Sequence, residues 1–507
     1  MKSYKLTKSR IISGNQCEKK LWFDINDPED KQKFEFERGY RFEDEVKKIY
    51  AKDRNAVDLS KDKKDRIIRT DQAINSKDIN IIFEGVFVCL DTYVRTDILI
   101  RKNKEWELLE IKSSKEKKDV HILDLAIQSY ILKKSGVSLT SFKLILINKD
   151  FILKKEGDYK DLPVEVDVTS EVVEKEEEIS DLIKKLLPIT KKSSCPKKDI
   201  GGHCKKPYPC DYMDRCKPKF NITPYTILPV IGTRSKKLKA HMQKEGTMDL
   251  QKVPTKFFPD EPYKNYAPNC HKIIQECHKK NKTWFSDNLK NIFEEFKFPF
   301  YFMDFETVMQ GVPIVKGTQP NYPLPFQWSV HKWESIDKKI KKDESFLKFK
   351  DQDIERQFIE KLLKAVGEDG TIFAHNAEEV EIKILNKLKD KDNCKDLADK
   401  INKLIGRVKD SLIIARKNFY SPPMNGSWTI KSIIKAIPNS GVSYDEEDNI
   451  AGGNDAQLAW LICTDPKTSI EEKKRQKKLL LNYCSNDTLA VYYLVKYLMK
   501  NIKDKKN

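Results

Sequence analysis

The sequence predicts a mixed α/β protein with more than one domain. At 507 residues the chain is too long for one ordinary hydrophobic core. Short apolar runs bounded by turn residues, typical of strands, are followed by longer stretches with helical periodicity. One such segment fills roughly the first 220 residues, and a second opens with PFYFMDFET at 299–307. Between them, Pro and Gly break short helical pieces. We therefore predict domains at 1–220 and 296–507, joined by a helical connector at 221–295.

The composition indicates a highly charged protein that binds a polyanion. Charged residues make up 34% of the chain and the net charge is +18, which favours nucleic acid as a partner. No apolar run approaches the roughly 20 residues that span a bilayer, so no membrane partner is expected. The N-terminus lacks the apolar core of a signal peptide. We expect a cytoplasmic protein whose eleven cysteines are mostly reduced.

The first candidate site lies in a series of predicted strands at 81–114. Asp97 is placed in one strand and Glu110 and Lys112 in the next. Residues i and i+2 of a strand project to the same face, so Glu110 and Lys112 point together. Exposed charges on an edge strand are the alternative interpretation. The acids interrupt the apolar runs TDILI and WELLEIK, where an unused charge is costly, and this favours a functional site.

A predicted amphipathic helix follows and carries Gln128 and Tyr130. Together these residues resemble the pattern of PD-(D/E)XK nucleases in their RecB-like branch. The resemblance implies that Asp97 and Glu110 bind Mg²⁺ or Mn²⁺ and that Lys112 acts on the attacking water. It also implies that Gln128 and Tyr130 support the site.

A cysteine-rich stretch, GGHCKKPYPCDYMDRC, ends the predicted first domain. Cys204, Cys210 and Cys216 are spaced at equal intervals of six residues, a density typical of a metal site in a reducing compartment. Cys195 and His203 are candidates for a further ligand, and spacing alone allows zinc or iron. The resemblance to iron–sulfur nucleases of CRISPR adaptation instead implies Cys17 as the fourth ligand of a [4Fe–4S] cluster. The other cysteines are expected to be inert: Cys89, Cys195, Cys270, Cys277, Cys394, Cys463 and Cys484.

The second candidate site opens on the strand YFMDFET. Asp304 and Glu306 share one face of this strand, and two like charges there are costly unless a cation neutralises them. Near the C-terminus, Tyr483 and Asp487 are four residues apart on a predicted helix, hence on one face. This set resembles the DEDD exonucleases of the RNase H-like superfamily. That family binds two divalent ions through four acids, with the tyrosine orienting the water.

The remaining acid of this pattern is less direct. The position that the family commonly fills with an acid, four residues after Asn376, is Val380 in this chain. Alignment on the neighbouring apolar and acidic residues selects Glu381, with Glu379 as the alternative. The stretch at 407–438 is either a strand-contacting loop or a structural one, and Asp410 within it is a lesser candidate.

The whole chain resembles a family of uncharacterised bacterial proteins that join these two nuclease types. The resemblance implies an α/β protein with a PD-(D/E)XK restriction-endonuclease-like domain, a helical connector and an RNase H-like domain. We expect a metal-dependent deoxyribonuclease acting exonucleolytically on single strands or ends, in repair, recombination or defence. An RNase, or a nucleic-acid-binding scaffold with one inactive domain, are the alternatives. Because no GxxxxGK[ST] phosphate-binding loop is present, any helicase must be a separate partner protein. A protein of a defence system is the other candidate partner.

Overall fold

The structure, a computed structural model, divides into two compact units. The first unit holds residues 1–218 and 310–322, and the second holds 219–309 and 323–507. Residues 310–322, which the sequence placed in the second domain, fall in the first unit. The residues that the structure describes are 6–28, 33–52, 54–62, 64–216, 240–241, 244–245, 250–258, 264–350, 353–444, 450 and 452–503.

The first unit is a mixed α/β structure around a six-stranded sheet of order β2-β3-β6-β7-β8-β9. In this sheet β6 and β7 are antiparallel neighbours, while β7 and β8 are parallel. A separate three-stranded sheet has the order β1-β5-β4, and its strands are interspersed along the chain with those of the six-stranded sheet. The strands of the unit are β1 Leu6–Thr7, β2 Ala56–Asp58, β3 Ile81–Phe83, β4 Val86–Cys89, β5 Thr92–Arg95, β6 Ile98–Lys102, β7 Glu105–Ile111, β8 Leu139–Ile147 and β9 Pro163–Asp167.

The helices of the first unit pack mainly around the crossover between β7 and β8. They are α1 Lys8–Gln16, α2 Glu18–Asn26, α3 Lys33–Ala51, α4 Arg66–Asn75, α5 Asp119–Lys134, α6 Thr169–Glu176, α7 Ile179–Leu186 and α8 Met213–Cys216. Helix α5 makes this crossover, as parallel neighbours require. It was predicted to be amphipathic, but every residue from 120 to 129 is buried. The prediction was wrong because α1, α6 and α7 cover the sides that the sheet leaves open.

The second unit is built on a five-stranded sheet of order β13-β12-β11-β14-β15. The first three strands are antiparallel to one another, and β14 and β15 run parallel to β11. A two-stranded sheet pairs β10 with β16. The strands are β10 Trp284–Phe285, β11 Phe300–Met309, β12 Pro323–Trp333, β13 Glu344–Leu347, β14 Thr371–Ala374, β15 Val408–Asp410 and β16 Phe419–Tyr420.

The helices of the second unit include one of 34 residues that packs along the sheet. They are α9 Cys270–Lys280, α10 Leu289–Glu294, α11 Ile354–Val366, α12 Glu381–Lys389, α13 Ala398–Arg407, α14 Ser411–Asn418, α15 Ile430–Ile434, α16 Gly453–Thr464 and α17 Ile470–Lys503. In the described part of the chain, no helix combines the length and the apolar character that crossing a bilayer needs.

The predicted connector at 221–295 is not a separate part of the molecule. Most of its first thirty residues lie outside the described residues. From 250 onward its side chains enter the main hydrophobic core of the second unit, together with the aromatic residues of β11. Val253, Phe258, Ile274 and Leu289 are all buried there. Pro and Gly mark breaks between local elements, but they do not show which core those elements join.

Candidate active sites

The first group of acids lies where β6 and β7 pair. Ile98 of β6 is paired with Leu109 of β7, so Asp97, one residue before β6, comes opposite Glu110. A carboxylate oxygen of Asp97 accepts a 2.7 Å hydrogen bond from the backbone N–H of Ile111. Lys112 Nζ lies 2.6 Å from Glu110 Oε1, as the strand spacing predicts. The structure therefore brings Asp97, Glu110 and Lys112 together.

Helix α5 completes this group from above the sheet. Gln128 Nε2 donates to Glu110 Oε2 at 2.7 Å and to Asp124 Oδ1 at 3.0 Å. Asp124 was missed in the sequence, although it interrupts the apolar run ILDLAI one turn before Gln128. Its side chain is 6% exposed and pairs with Lys112 at 2.5 Å. Glu110 and Asp124 thus share both a lysine and a glutamine.

A second ammonium group, that of Lys8, also reaches these acids. Lys8 Nζ lies 2.7 Å from Glu110 Oε1 and 3.2 Å from Asp124 Oδ1. Lys8 is the first residue of α1 and lies about one hundred residues before its partners, so no local spacing pointed to it. Two ammonium groups therefore bridge the same two carboxylates.

Burial and charge act in opposite directions on this group. Burial raises the pKa of Glu110 to about 7, and the carboxylates of Asp124 and Asp97 add to the rise. Burial also disfavours the charged form of Asp124, but Lys112 and Lys8 outweigh it and hold its pKa below the usual range. Burial lowers the pKa of His121, on the same helix, to about 4, so this imidazole is neutral at pH 7.

Tyr130 is placed differently from the other predicted residues. It is two residues beyond Gln128, which corresponds to about 200° around a helix. Gln128 faces Glu110, whereas the partly buried ring of Tyr130 packs at the edge of the hydrophobic core, with Lys134 Nζ 5.7 Å from its centroid. The structure does not bring Tyr130 to the carboxylates.

A neighbouring set of charges is balanced within itself. Glu84 pairs with Lys47 at 2.5 Å and with Arg95 at 2.7 Å, and Lys47 also pairs with Glu43 at 2.6 Å. Burial, with a hydrogen bond to Glu84, raises the pKa of Glu43 to about 7. Two acids and two cations therefore occupy this side of Asp97.

The predicted cysteine ligands meet in one cavity. Cys17, Cys204, Cys210 and Cys216 all line one small cavity that is partly open to solvent. Cys17 follows the last residue of α1, and Gln16 before it donates to the backbone carbonyls of His203 and Tyr208 at 2.9 and 2.8 Å. These two bonds tie the end of α1 to the loop that carries the later cysteines.

The rival ligands lie at the margin of this cavity. His203 lines it, and a ring nitrogen lies 3.5 Å from Cys204 Sγ. Cys195 does not line the cavity but is close enough for Cys216 and Cys17 to affect its charge. Burial is the main cause that raises its pKa. The cavity itself therefore brings together the four cysteines that the resemblance implied.

The second group of acids forms on β11 and α17. Asp304, Glu306 and Asp487 offer carboxylate oxygens that lie within 4.8 Å of one another. Asp304 and Glu306 project from one face of β11, and α17 packs across that face. Tyr483 lies one turn before Asp487 on α17, and the charges of Asp487, Glu306 and Asp304 act on its hydroxyl group. These four residues are brought together as predicted.

Glu381 is the acid that joins this group from α12. It begins the helix and is 1% exposed. Its charge acts on Asp304 and Glu306. Glu379, the alternative, is exposed and pairs with Lys383. Glu381 is therefore the acid that faces the site.

Three residues not predicted at this site surround Asp487 and Asp304. Tyr444 donates a 2.6 Å hydrogen bond to Asp487 Oδ1. Lys431 Nζ lies 4.9 Å from the ring centroid of Tyr444 and 5.2 Å from that of Tyr483. Cys484, expected to be inert, is buried with its sulfur 3.4 Å from Asp304 Oδ2. The sequence offered one signal, the GSWTIK segment that ends at Lys431.

Every acid of this group has a raised pKa. Burial, followed by repulsion from Asp487 and Glu381, raises the pKa of Glu306 to about 8. Burial likewise raises the pKa of Glu381 to about 8 and that of Asp304 well above its usual range. Lys431 opposes the rise at Glu306 and Asp487 without cancelling it. Without a cation the group therefore retains protons near neutral pH.

Asp410 and His375 have structural roles instead. Asp410 caps α14, accepting from the backbone N–H of Leu412 at 2.9 Å, and also binds the N–H of Asn376 at 3.1 Å. His375 Nε2 lies 2.9 Å from the carbonyl oxygen of Trp428, and burial lowers its pKa to about 4. These contacts hold parts of the segment at 407–438 within the fold, while Lys431 of the same segment lies beside the second group of acids.

Comparisons with known proteins reach part of the second unit. Residues 301–429 match the model of a family described as a domain of unknown function, DUF2779. The match includes Asp304, Glu306 and Glu381, and it ends before Lys431 and Asp487. No curated protein matches the chain. Neither comparison assigns an activity.

Proposed function

We propose that this protein is a metal-dependent nuclease that hydrolyses phosphodiester bonds of DNA, acting exonucleolytically on single strands or ends. The observation that carries the proposal is the second group of acids. Four carboxylates from a strand and two helices converge in a buried place, with one described lysine close to them. Fixed like charges in a protein interior are costly, and this cost is offset when a cation binds.

The donor set fits divalent cations of the Mg²⁺ or Mn²⁺ type. These hard ions prefer oxygen ligands, and Asp304, Glu306, Glu381 and Asp487 supply carboxylates. Oε2 of Glu381 is buried and has no hydrogen-bond partner among the described residues, which is a position for a ligand bond. Binding would displace the protons that the raised pKa values retain near neutral pH.

The side chains around the acids have separate tasks in this proposal. Bound divalent ions would supply an activated water and stabilise the leaving oxygen. Tyr483, one turn before Asp487, orients the attacking water. Lys431 presents a positive charge to the phosphate. Tyr444 keeps the Asp487 carboxylate in a single orientation through its hydrogen bond.

The sheet of the second unit supports the same proposal. Along the chain, the first three strands of this sheet, β11 to β13, are antiparallel to one another. The last two, β14 and β15, run parallel to β11. This is the arrangement of RNase H-like sheets, and the acids lie on its first strand, on a helix after the fourth strand and on the last helix. The RNase H-like fold expected from the sequence is therefore retained as part of the proposal.

We assign the first group of acids to a second nuclease site of PD-(D/E)XK type. Asp97 and Glu110 would hold a divalent cation, and Lys112 would orient the water. Gln128 fixes Glu110 through its 2.7 Å hydrogen bond. Its Oε1 is buried without a partner among the described residues, which leaves an acceptor for an ion-bound water. Tyr130 has no task in this assignment.

For the cysteine cavity we propose a [4Fe–4S] cluster bound by Cys17, Cys204, Cys210 and Cys216. A tetrahedral zinc site would hold its thiolates about 3.8 Å apart. In the described part of the chain no three cysteine sulfurs lie within 4.8 Å of one another. A cluster spreads its ligands over four irons and fits this wider spacing. Iron and sulfide analysis of protein purified without oxygen tests the choice, and zinc without iron would reject it.

The proposed activity is tested with end-labelled single- and double-stranded DNA and RNA in Mg²⁺ or Mn²⁺. Wild type is compared with Lys112→Ala and Asp304→Ala. Lys143→Ala and Glu355→Gln are matched controls, since each removes a charge outside the acid groups. We expect the first two variants to lose cleavage and the controls to keep it. Faster cleavage of RNA than of DNA would show that the proposed substrate should be RNA. Binding without any cleavage would reject the enzyme and leave a nucleic-acid-binding scaffold.

A further inference from the structure

We propose that Lys8 occupies the place of a second metal ion in the first site, so that this site takes a single divalent cation. The inference rests on the proposed function of that site and concerns its metal content. The inference is based on the contacts of Lys8, which binds the same two acids, Glu110 and Asp124, as Lys112 does. Both ammonium groups lie within 2.7 Å of the same oxygen, Glu110 Oε1. They approach opposite oxygens of Asp124, at 3.2 and 2.5 Å.

An ammonium group that bridges two carboxylates is placed as a bridging metal ion would be. Glu110 and Asp124 are 2% and 6% exposed, so they face each other in a region of low solvent content. Two acids that share an ion are the usual bridging element of two-metal sites. A divalent ion cannot enter beside Lys8 without meeting its charge at contact distance. Asp97, whose contact is with the backbone of Ile111, remains open to one ion.

The charges of the site agree with a single ion. Asp97, Glu110 and Asp124 with Lys8 and Lys112 leave one net negative charge. One divalent ion and one phosphodiester unit bring the total to zero. The neighbouring set made of Glu43, Glu84, Lys47 and Arg95 is counted separately, because its cations pair with its own acids. With two divalent ions the first site would carry two excess positive charges beside a bound phosphodiester.

The same count of charges in the second group of acids calls for two divalent ions. Asp304, Glu306, Glu381 and Asp487 with Lys431 leave three net negative charges. Two divalent ions and one phosphodiester unit are needed to reach zero. The two groups therefore differ by one metal ion, and the difference follows from Lys8 and the number of acids.

Lys8 is held in place by the helix that carries it. Thr7 caps α1 by accepting from the N–H of Arg10, and the other end of the helix is fixed by the two hydrogen bonds of Gln16. The nine-residue helix that carries Lys8 is thus held at both of its ends. Its ammonium acts as a permanent charge of the site.

The test counts bound Mn²⁺ by electron paramagnetic resonance and calorimetry in the full chain carrying Asp304→Asn and Asp487→Asn, which removes the second group as a binder. In this background we expect one Mn²⁺ with Lys8 present. Lys8→Ala and Lys8→Gln should bind two, because the neutral side chain frees the bridging position. Lys8→Arg keeps the charge and should bind one.

Lys143→Ala is the matched control. Lys143 also bridges two carboxylates, those of Glu107 and Glu165, and its side chain is 23% exposed compared with 21% for Lys8. This variant should still bind one Mn²⁺. Two bound Mn²⁺ ions in the protein that keeps Lys8 would overturn this inference without affecting the proposed function. So would one bound ion in both Lys8→Ala and Lys8→Gln, once circular dichroism shows that these variants are folded. No Mn²⁺ in any variant would overturn the proposed metal function of the first site as well.

Discussion

The two groups of acids differ in how their negative charge is compensated. In the first, Glu110 and Asp124 are each paired with two lysines, and a glutamine binds both. In the second, the acids meet mainly one another, and Lys431 is the ammonium that acts on them in the described part of the chain. As a result, the pKa of Asp124 falls below its usual range, whereas that of Asp304 rises well above it.

This difference shows that a cluster of carboxylates has two meanings in a folded chain. In the first group the lysines favour the charged form of Asp124, although burial still raises the pKa of Glu110. Acids that are left to repel one another weaken the apo protein and are stabilised when cations bind. The second group is therefore the stronger evidence for metal chemistry, although the first contains every group that the sequence pattern requires.

The largest expected effect is on cleavage by the second site. Asp304→Asn removes a ligand whose metal contributes several kcal/mol to the transition state, so activity of that site should fall by about 10³-fold. The rate is measured with the first site silenced by Lys112→Ala. Glu379→Gln, at the exposed alternative position, should leave the rate unchanged. Equal losses in both variants would show that Glu381 had been wrongly preferred and that the site extends to the surface.

Stability should change in opposite directions at the two groups. Lys112→Ala leaves buried acids with less compensation, and breaking such a pair costs about 3–5 kcal/mol. Asp304→Asn should instead raise the unfolding temperature in EDTA at pH 9. The pKa of Asp304 is raised in the folded state, so its carboxyl group lowers stability progressively as the pH rises above its unfolded-state pKa. Thermal unfolding of both variants at pH 9 measures the contrast, and a shared direction would contradict it.

Metal affinity should depend on pH over different ranges at the two groups. Glu306 and Glu381 have pKa values of about 8, and Glu110 has one of about 7. Below its pKa each acid must lose a proton before it binds, which costs about tenfold in affinity per pH unit and proton. Mn²⁺ affinity should therefore rise up to about pH 8 at the second group and level off about one unit lower at the first. Titrations at pH 6, 7, 8 and 9, with one group removed by substitution each time, separate the two curves. Curves that coincide would refute the contrast.

The smallest effect concerns Tyr444. Tyr444→Phe removes a hydrogen bond to a charged partner worth about 1.5–3 kcal/mol, and part of this is replaced by water. We expect a loss of roughly tenfold in cleavage by the second site. Tyr50→Phe, which removes a similar bond to Glu165 in the first unit, is the control and should leave that rate unchanged. A larger loss than that of Tyr483→Phe would assign the water-orienting role to Tyr444.

Local spacing was sufficient where both members of a contact lie on one element. Glu110 and Lys112, two positions apart in an extended segment, are placed as their spacing predicts. The same holds for Tyr483 and Asp487, which lie on one helix face. The same reasoning did not extend to Tyr130. Two helical positions after Gln128 lie on the other side of the helix, so their closeness in sequence did not bring them to one site.

Residues that meet across long stretches of chain were missed for a physical reason. Lys8 and Tyr444 reach the acids through strand register and helix packing, which no local pattern contains. Asp124, one turn before Gln128, and Lys431, at the end of GSWTIK, had local signals. Alignment preferred Glu381 to Glu379, and Glu381 is the one that is buried. Both follow the same strand, and the start of α12 decides which one turns toward β11.

The sequence by itself determined the mixed α/β class, and it identified Asp97, Glu110 and Lys112 in the first group and Asp304, Glu306 and Asp487 in the second, which the structure brings together. Those features depend on residue type and on periods of two or four along one element. The tertiary structure alone decided how each group is charged and that residues from 250 onward belong to the second core. These outcomes depend on contacts between distant elements, because burial and pairing are fixed only when the elements pack.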